Sequence, residues 1–319
     1  MTPRSTWILT EGLAGTEAPC RGLAAALGVE PVLKRVRVRQ PWDALPGRLW
    51  LRPLSAPTRD SDRLAPPWPD LLISSGNVAA PLAVAIKRAS GGRTCIVHIQ
   101  NPKLPLGRFD LVTAPRHDGI EGPNVVVTRA TLHGLTRAAL AAEAEIWRPR
   151  LAGLPRPLVA VLVGGSNRRF KLDTARIHAL ARDLRRLMAE QGCGIVLTPS
   201  RRTGPDNTAV LAGELAVPGA FVWDGKPPNP YLGLLALADF ILVTQDSVSM
   251  ISEAIGTGKP VYWIGLDGRS RRLQRFVDTL TADGILRKFE SGTRLEPWRY
   301  EPPDDTARVA AEIRRRFGW

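Results

Sequence analysis

The chain has 319 residues, of which 44% are hydrophobic and 23% charged, so it is large enough for two globular domains with substantial cores. Its three cysteines are scattered without zinc-ligand spacing, so we expect small buried residues in a reducing compartment. No run approaches the roughly 18 apolar residues that a membrane span requires, and the amino terminus lacks the apolar region of a secretory signal. We therefore expect a cytoplasmic protein.

The net charge of +14, from 44 Lys and Arg against 30 Asp and Glu, has four possible explanations. Nucleic acid, an anionic membrane face and a phosphorylated ligand would each attract such a surface, and an arginine-rich proteome would produce the same excess. The sequence contains no pattern typical of a groove-reading helix or of a stacking platform. Nucleic acid is therefore not an expected partner, whereas peripheral contact with the inner face of a membrane stays open.

Short apolar runs alternate with helical periodicity in the first half of the chain, the pattern of a parallel α/β fold. The predicted strands cover residues 7–10, 32–38, 48–51, 70–74, 94–99, 110–113 and 125–127. Predicted helices follow the first strand up to residue 28 and cover residues 78–88 and 138–147. A Pro-, Arg- and Asp-rich stretch, residues 52–69, predicts an exposed loop.

Three prolines between residues 148 and 157 predict a domain boundary, which divides the chain into residues 1–150 and 156–319. The alternation then restarts, with strands at 158–163, 194–198, 221–223, 239–244 and 260–264 and helices at 174–190, 247–256, 271–280 and 304–317. The apolar stripe of the last helix suits packing back onto the first domain. Each half begins with a strand that ends in a glycine-bearing loop and leads into a helix. This internal similarity predicts two Rossmann-like lobes facing a central cleft.

Four strand-to-helix loops are rich in Gly, Ser, Asn and Asp, namely residues 12–16, 74–77, 164–167 and 244–247. In open parallel sheets ligands bind at such loops, because glycine lets the backbone approach a phosphate and the helix amides donate to it. Each loop taken alone is equally well explained as a plain turn. Neither a P-loop nor a G-x-G-x-x-G pattern is present.

The most informative segment is residues 243–261. Gln245, Asp246 and Ser247 form a polar turn after an apolar strand, and Ser247 can cap the following helix. Glu253 lies six residues later, where its carboxylate would accept both hydroxyls of a ribose. This order of polar turn, helical glutamate and Gly-x-Pro stop resembles the nucleotide-sugar site of GT-B glycosyltransferases. The alternative is a capped helix with a solvated glutamate.

A basic cluster follows two strands of the second half. We expect it to neutralise a diphosphate together with the glycine loop, although a solvated basic rim is an equal alternative. The predicted nucleotide-sugar residues in these loops are Gly164, Gly165, Ser166, Asn167, Arg168, Lys171, Arg201 and Arg202.

In the first half, His117 and Asp118 follow a strand and are predicted to act as a general base toward an acceptor hydroxyl. The alternative is a turn in which Asp118 bonds the backbone. His98 and His178 are expected to be structural, and no metal-ligand set is recognisable.

Several stretches together resemble the elongated-mitochondria family of mitochondrial fission proteins, in its bacterial branch. They are residues 99–103 (IQNPK), 109–112 (FDLV), 115–119 (PRHDG), 122–125 (GPNV), 164–167 (GGSN) and the run from 244 to 260. They cover most of the chain, and the resemblance implies a GT-B-like fold.

The leading hypothesis is a glycosyltransferase that uses a nucleotide-sugar as substrate, without a metal or other cofactor. Its acceptor, from the cell envelope or lipid-linked, would bind the first lobe at Gly12, Gly15, Thr16, Gly76, Asn77 and Asn101. The rival hypothesis is a non-catalytic adaptor that recruits a protein partner at a membrane surface. A third is a sugar-nucleotide epimerase on the same scaffold.

Overall fold

The computed structural model describes residues 5–319, apart from the side chain of Ala14. The contacts between residues divide the chain into two compact units. Unit 1 runs to Gly134 and also includes Asp304–Trp319, and unit 2 is Leu135–Pro303. Each unit is built around its own parallel sheet, which confirms the α/β prediction.

Unit 1 contains a six-stranded sheet in the order β2-β1-β3-β4-β5-β6, and every strand pair in it is parallel. The strands are β1 Thr6–Thr10, β2 Pro31–Arg35, β3 Leu71–Ser75, β4 Cys95–Ile99, β5 Leu111–Pro115 and β6 Val125–Thr128. The helices are α1 Ala14–Leu27, α2 Ala79–Ala89 and α9 Asp305–Phe317. The inner strands β1, β3 and β5 are buried along their whole length, and β4 is buried apart from Cys95, as parallel strands covered on both faces are.

Unit 2 contains a second sheet in the order β10-β9-β7-β11-β12-β14, also parallel throughout. The strands are β7 Leu158–Val163, β9 Gly194–Pro199, β10 Ala220–Val222, β11 Phe240–Thr244, β12 Val261–Ile264 and β14 Leu286–Phe289. The helices are α3 Arg137–Leu151, α4 Thr174–Gln191, α5 Pro205–Glu214, α6 Tyr231–Leu237, α7 Val248–Gly256 and α8 Arg271–Ala282. Two short antiparallel strands, β8 Phe170–Lys171 and β13 Asp267–Gly268, pair beside this sheet.

One predicted strand is wrong. Residues 48–51 do not extend the sheet, because Gly47–Leu49 forms a 3₁₀ turn. The apolar run there serves another purpose: Trp50 is buried in the core, whereas Leu49 and Leu51 on either side of it are exposed. The helices α5 and α6 and the strand β14 are short or weakly periodic, and the sequence pattern did not predict them.

The contacts place the division between units before α3, whereas the sequence analysis places it after this helix. Pro149 lies inside α3 and does not end it. Trp147 of α3 is 2% exposed and its indole packs beside Gly233 of α6, where a Cβ would overlap the ring. This tight contact explains why α3 belongs to unit 2.

The last helix, α9, is built into unit 1. Val309 and Ile313 are fully buried in the same core cluster as Cys20 and Leu23 of α1. At the start of α9, Asp305 Oδ2 accepts the backbone N–H groups of residues 129 and 130 at 2.8 and 2.9 Å. The final 16 residues therefore complete the core of a unit whose other residues precede them by more than 160 positions.

Ile313→Ala is expected to lower the free energy of unfolding of unit 1 by about 2–5 kcal/mol, because it removes a fully buried side chain and leaves a cavity. Urea unfolding measures the change. Ile146→Ala, at an isoleucine of α3 that is 51% exposed, is the control and should change little. Equal losses in the two variants would contradict the packing of α9.

Candidate functional site

Three loops of unit 2 meet at one edge of its sheet. They follow β7, β9 and β11, which are neighbours in the order β9-β7-β11 and run parallel. The carboxyl ends of parallel strands lie at the same edge, where open α/β sheets bind their ligands. This arrangement brings together the predicted loops that begin at Gly164, Ser200 and Thr244.

Asp246 joins the first and third of these loops. Its Oδ2 atom accepts the backbone N–H of Gly165 at 3.1 Å, and its Oδ1 atom accepts the Thr244 hydroxyl at 2.6 Å. Thr244 Oγ1 in turn accepts the N–H of Gly164 at 2.7 Å. The N–H groups of Gly164 and Gly165, both predicted as nucleotide-sugar residues, thus bond to side chains of the protein.

The two glycines are required by close packing. A Cβ on Gly164 would overlap the Asp246 carboxylate, and a Cβ on Gly165 would overlap the backbone carbonyl of Arg202. Neither glycine has the positive φ that would by itself require glycine. Their physical role is to let three loops approach one another.

The loop after β9 supplies a cation. Arg202 donates from its guanidinium to Asp246 Oδ2 at 2.5 Å, and the side chains are 41% and 0% exposed respectively. A buried carboxylate is stable only when it is paired and hydrogen-bonded, and Arg202 provides that pairing while part of its guanidinium still reaches solvent. Arg201 beside it is exposed.

Ser166 and Asn167 shape their own loop. Asn167 Oδ1 accepts the N–H groups of Arg169 and Phe170 at 2.8 and 3.0 Å, and Ser166 Oγ accepts that of Leu172 at 2.9 Å. Arg168 and Lys171 are exposed on the same hairpin. Ser166 and Asn167 are exposed as well, but their side-chain oxygens are used within the loop, whereas Arg168 and Lys171 carry the positive charge at its surface.

Helix α7 starts directly after the Asp246 turn. Ser247 caps it by accepting the N–H of Met250 at 3.3 Å, as predicted. The first turn of a helix points its remaining N–H groups and the positive end of the helix dipole outward, which favours an anion. Gln245 is buried, and its side-chain amide donates to the backbone carbonyl of Leu266, just before β13, at 3.5 Å.

Glu253 lies two turns along α7 and has a partner that the sequence analysis missed. The hydroxyl of Tyr231, the first residue of α6, donates to Glu253 Oε2. Burial raises the pKa of the Glu253 carboxyl, and the hydrogen bond from Tyr231 opposes that rise. Burial likewise raises the pKa of Tyr231. In the sequence near Tyr231, only the preceding Pro-rich loop sets this residue apart, and that does not identify it as the partner of Glu253.

In unit 1 the loops after β1 and β3 also meet, since these strands are neighbours. Gly12 and Gly76 have φ values of +76° and +98°, which favour glycine. A Cβ on Gly76 would stand 3.5 Å from the methyl group of Thr16. Glu11, which the sequence analysis did not single out, accepts the Val78 N–H at the start of α2 at 3.2 Å.

The other predicted acceptor residues of unit 1 have modest roles in this structure. Gly15 and Asn77 are exposed, and Asn101 Oδ1 accepts the N–H of Lys103 at 2.9 Å within a turn. Nearby, Arg35 donates to Glu17 of α1 at 2.9 Å, and this hydrogen bond lowers the pKa of the Glu17 carboxyl. Whether an acceptor binds here stays a prediction.

His117 and Asp118 form a buried pair in a 3₁₀ turn after β5. His117 Nε2 lies 3.7 Å from Asp118 Oδ1, and the two side chains are 1% and 3% exposed. A general base must come within hydrogen-bonding distance of its substrate. The burial does not favour that role in this conformation, and the catalytic assignment stays a prediction.

Within residues 5–319, no group of three or more His, Cys, Asp or Glu side chains is arranged to hold a metal ion. None of the helices in this part of the chain combines the length and apolar character needed to cross a bilayer.

The two Rossmann-like units define a protein of the GT-B fold class, and solved structures share it. The structure of UDP-GlcNAc 2-epimerase from Methanocaldococcus jannaschii in complex with UDP-GlcNAc and UDP matches with a TM-score of 0.56 at 12% identity, covering 98% of this chain and 99% of that one. A glycosyltransferase from Rickettsia africae matches with a TM-score of 0.50 at 11% identity, covering 98% and 88%. At such identities the likeness concerns the fold alone.

The chain belongs to the mitochondrial fission ELM1 family, whose model matches residues 14–317. The mitochondrial fission protein ELM1 of Arabidopsis thaliana is 36% identical over 282 residues, and an uncharacterized protein of Rickettsia prowazekii is 27% identical over 286. The matches cover 79% and 77% of this chain. They span 65% of the plant protein and 79% of the Rickettsia protein.

Asp246→Ala is expected to lower the free energy of unfolding of unit 2 by about 2–4 kcal/mol, because it leaves the donors of Gly165, Thr244 and Arg202 without their acceptor. Urea unfolding tests this. Asp224→Ala, at an aspartate whose side chain is 61% exposed, is the control. A loss no greater than in the control would show that Asp246 does not hold the loops together.

His98 is expected to make the free energy of unfolding of unit 1 depend on pH. Its ring is fully buried, bonds Ser74 Oγ at 2.9 Å through Nδ1, and burial lowers its pKa from 6.5 to about 3. Between these values the unfolded chain binds a proton that the folded chain does not. The free energy of unfolding therefore falls as the pH drops below 6.5, by at most about 1.4 kcal/mol per pH unit.

His98→Gln, which cannot titrate there, is expected to flatten this decline. Urea unfolding of both proteins between neutral pH and about pH 4 makes the comparison. An unchanged slope in the variant would contradict the assignment to His98.

Proposed function

We propose that unit 2 binds a nucleotide-sugar through its diphosphate and ribose, and that the protein is a glycosyltransferase. The observation that carries the proposal is the build of α7. Its Ser247-capped amino terminus opens at the loop edge of the sheet beside Arg202, and Glu253 follows two turns later on the same helix. A diphosphate suits the first feature and a ribose suits the second.

The basic side chains at this edge would complete the diphosphate site. Arg168, Lys171 and Arg201 are exposed on the adjoining loops, and charge-assisted hydrogen bonds to phosphate oxygens are among the stronger ones. The same groups, together with the amides at the start of α7, would stabilise the negative charge that develops as the nucleotide diphosphate leaves. We propose that they do so without a metal. The UDP-GlcNAc and UDP in a structure of the same fold support this assignment.

We place the acceptor in unit 1, at the loops of Gly12, Thr16, Gly76 and Asn101, and expect an envelope or lipid-linked compound. The support is the position of these loops at the carboxyl edge of the unit 1 sheet, where open α/β sheets bind their ligands. A basic protein would meet such an acceptor at the inner face of a membrane.

A non-catalytic adaptor is the second candidate function. Two observations favour it: His117 and Asp118 are buried, and the Arabidopsis relative is named for mitochondrial fission. In that case unit 2 would keep Glu253 bonded to Tyr231 and recruit a protein partner instead of a sugar donor. A sugar-nucleotide epimerase, the name borne by several proteins of the same fold, would bind the donor without an acceptor.

Calorimetric titration with UDP, GDP, ADP and their sugars is expected to show saturable binding of one nucleotide. Glu253→Gln should weaken it about 10- to 100-fold, because a charged acceptor for the ribose hydroxyls is lost. Glu190→Gln, at a half-exposed glutamate of α4, is the matched control and should bind as the wild type does. A folded wild-type protein that binds none of these ligands would rule out both the transferase and the epimerase.

Tyr231→Phe separates ribose binding from a structural role of Glu253. It removes the hydroxyl that donates to Glu253 Oε2 and keeps the aromatic ring. If the ribose hydroxyls take the place of this donor, the variant should bind nucleotide at least as tightly as the wild type. Binding weakened tenfold or more would mean that Glu253 and Tyr231 act as one fixed structural pair.

A further inference from the structure

Unit 1 exposes three large apolar side chains within seven residues of one another, between β2 and β3. Leu45, Leu49 and Leu51 are 38%, 54% and 83% exposed, and we call these three residues the leucine ridge. Single exposed leucines are common on protein surfaces, whereas a cluster of them marks contact with another surface.

The fold holds these leucines outward. Trp50 Nε1 donates to the backbone carbonyl of Leu45 at 3.0 Å, and Trp42 Nε1 donates to that of Leu51 at 3.3 Å. The Trp50 indole is itself buried, in the core cluster that includes Leu82 of α2. Both ends of the ridge are therefore tied to the body of unit 1, and the exposure of the leucine side chains follows from that anchoring.

The charge around the ridge is positive. Arg48 and Arg52 are exposed and lie immediately beside Leu49 and Leu51 in the sequence. Arg39 is also exposed; its guanidinium lies over the Trp42 ring at 5.3 Å and donates to the carbonyl of Ser55. Asp43 is the only acidic residue of the sequence between positions 39 and 52.

Protruding leucines flanked by arginines suit the interface of an anionic bilayer. The apolar side chains reach the boundary of the acyl chains, while the guanidinium groups meet lipid phosphates. A protein partner would need a matching pocket for Leu51, which protrudes with 83% of its surface exposed, whereas a lipid surface accommodates it without one.

We propose that the leucine ridge and its flanking arginines dock unit 1 on membranes rich in anionic phospholipid. The site lies wholly in unit 1 and does not require that unit 2 bind a nucleotide. Failure of one proposal therefore leaves the other to be judged by its own experiment.

Co-sedimentation of the full chain with vesicles tests the docking. Vesicles of neutral phosphatidylcholine are compared with vesicles in which about one third of the lipid is phosphatidylglycerol. We expect binding to the anionic vesicles that weakens with salt, and little binding to the neutral ones. The double variant L49S/L51S should bind at least about tenfold more weakly, since both apolar groups are lost.

Two further variants make the result specific. R48Q/R52Q should lose most of the salt-dependent part of the binding. Ile146→Ser, at a side chain of unit 2 that is 51% exposed, is the matched control and should sediment as the wild type does. Because all the substituted side chains are exposed, the melting temperatures should stay unchanged.

The proposal is overturned if the wild type sediments with neither kind of vesicle, or if Ile146→Ser loses as much binding as L49S/L51S. Light scattering in the absence of lipid measures the oligomeric state and so tests whether a second copy of the chain binds the ridge instead. A dimer that L49S/L51S converts to a monomer, with no effect on vesicle binding, would assign the ridge to a second copy of the chain.

Discussion

The arrangement of unit 2 depends on one buried carboxylate. Asp246 accepts a backbone N–H from the loop after β7, a hydroxyl from the end of β11 and a guanidinium from the loop after β9. Such a charge is tolerated in a protein interior only when its partners are all in place. The requirement fixes the positions of Arg202 and of Gly164 and Gly165, and it places the amino terminus of α7 beside them.

The same constraint separates residues that build the site from residues that a ligand can reach. Hydrogen bonds within the protein use the Asp246 carboxylate and the N–H groups of Gly164 and Gly165. The side-chain oxygen of Asn167 is likewise used within its own loop. Arg168, Lys171 and Arg201 are exposed to solvent, and Arg202 is partly so. The candidate site is thus a hydrogen-bonded interior with a rim of exposed basic side chains, and such a rim suits a phosphate-bearing ligand.

The fold alone does not decide between catalysis and recruitment, because the same architecture supports unrelated functions. The chain belongs to the mitochondrial fission ELM1 family and has the GT-B fold, and both candidate functions are compatible with that scaffold. What distinguishes them physically is the donor that satisfies Glu253, a buried carboxylate with a raised pKa. A ribose would make unit 2 a donor site, whereas Tyr231 alone would make it a structural pair.

Periodicity in the sequence was enough to predict the parallel α/β class, most strands and helices, and the Ser247 cap, because these depend on neighbouring residues and on burial averaged over a segment. The motifs were enough to predict the family. Residues 48–51 were predicted wrongly as a strand, because an apolar run does not show which of its side chains turn inward, and only the packing of Trp50 on unit 1 decides that.

Only the tertiary structure shows which residues far apart in the sequence form hydrogen bonds with each other. Tyr231 meets Glu253 across 22 residues, Asp246 meets Gly165 across 81, and Asp305 meets the backbone of residue 129 across 176. Hydrogen bonds of this kind depend on the order of strands in the sheet and on which loops lie side by side, and that information is not local to either residue. The types of residue that the site contains are therefore readable from the sequence, whereas their division into ligand-facing and structural groups follows only from the fold.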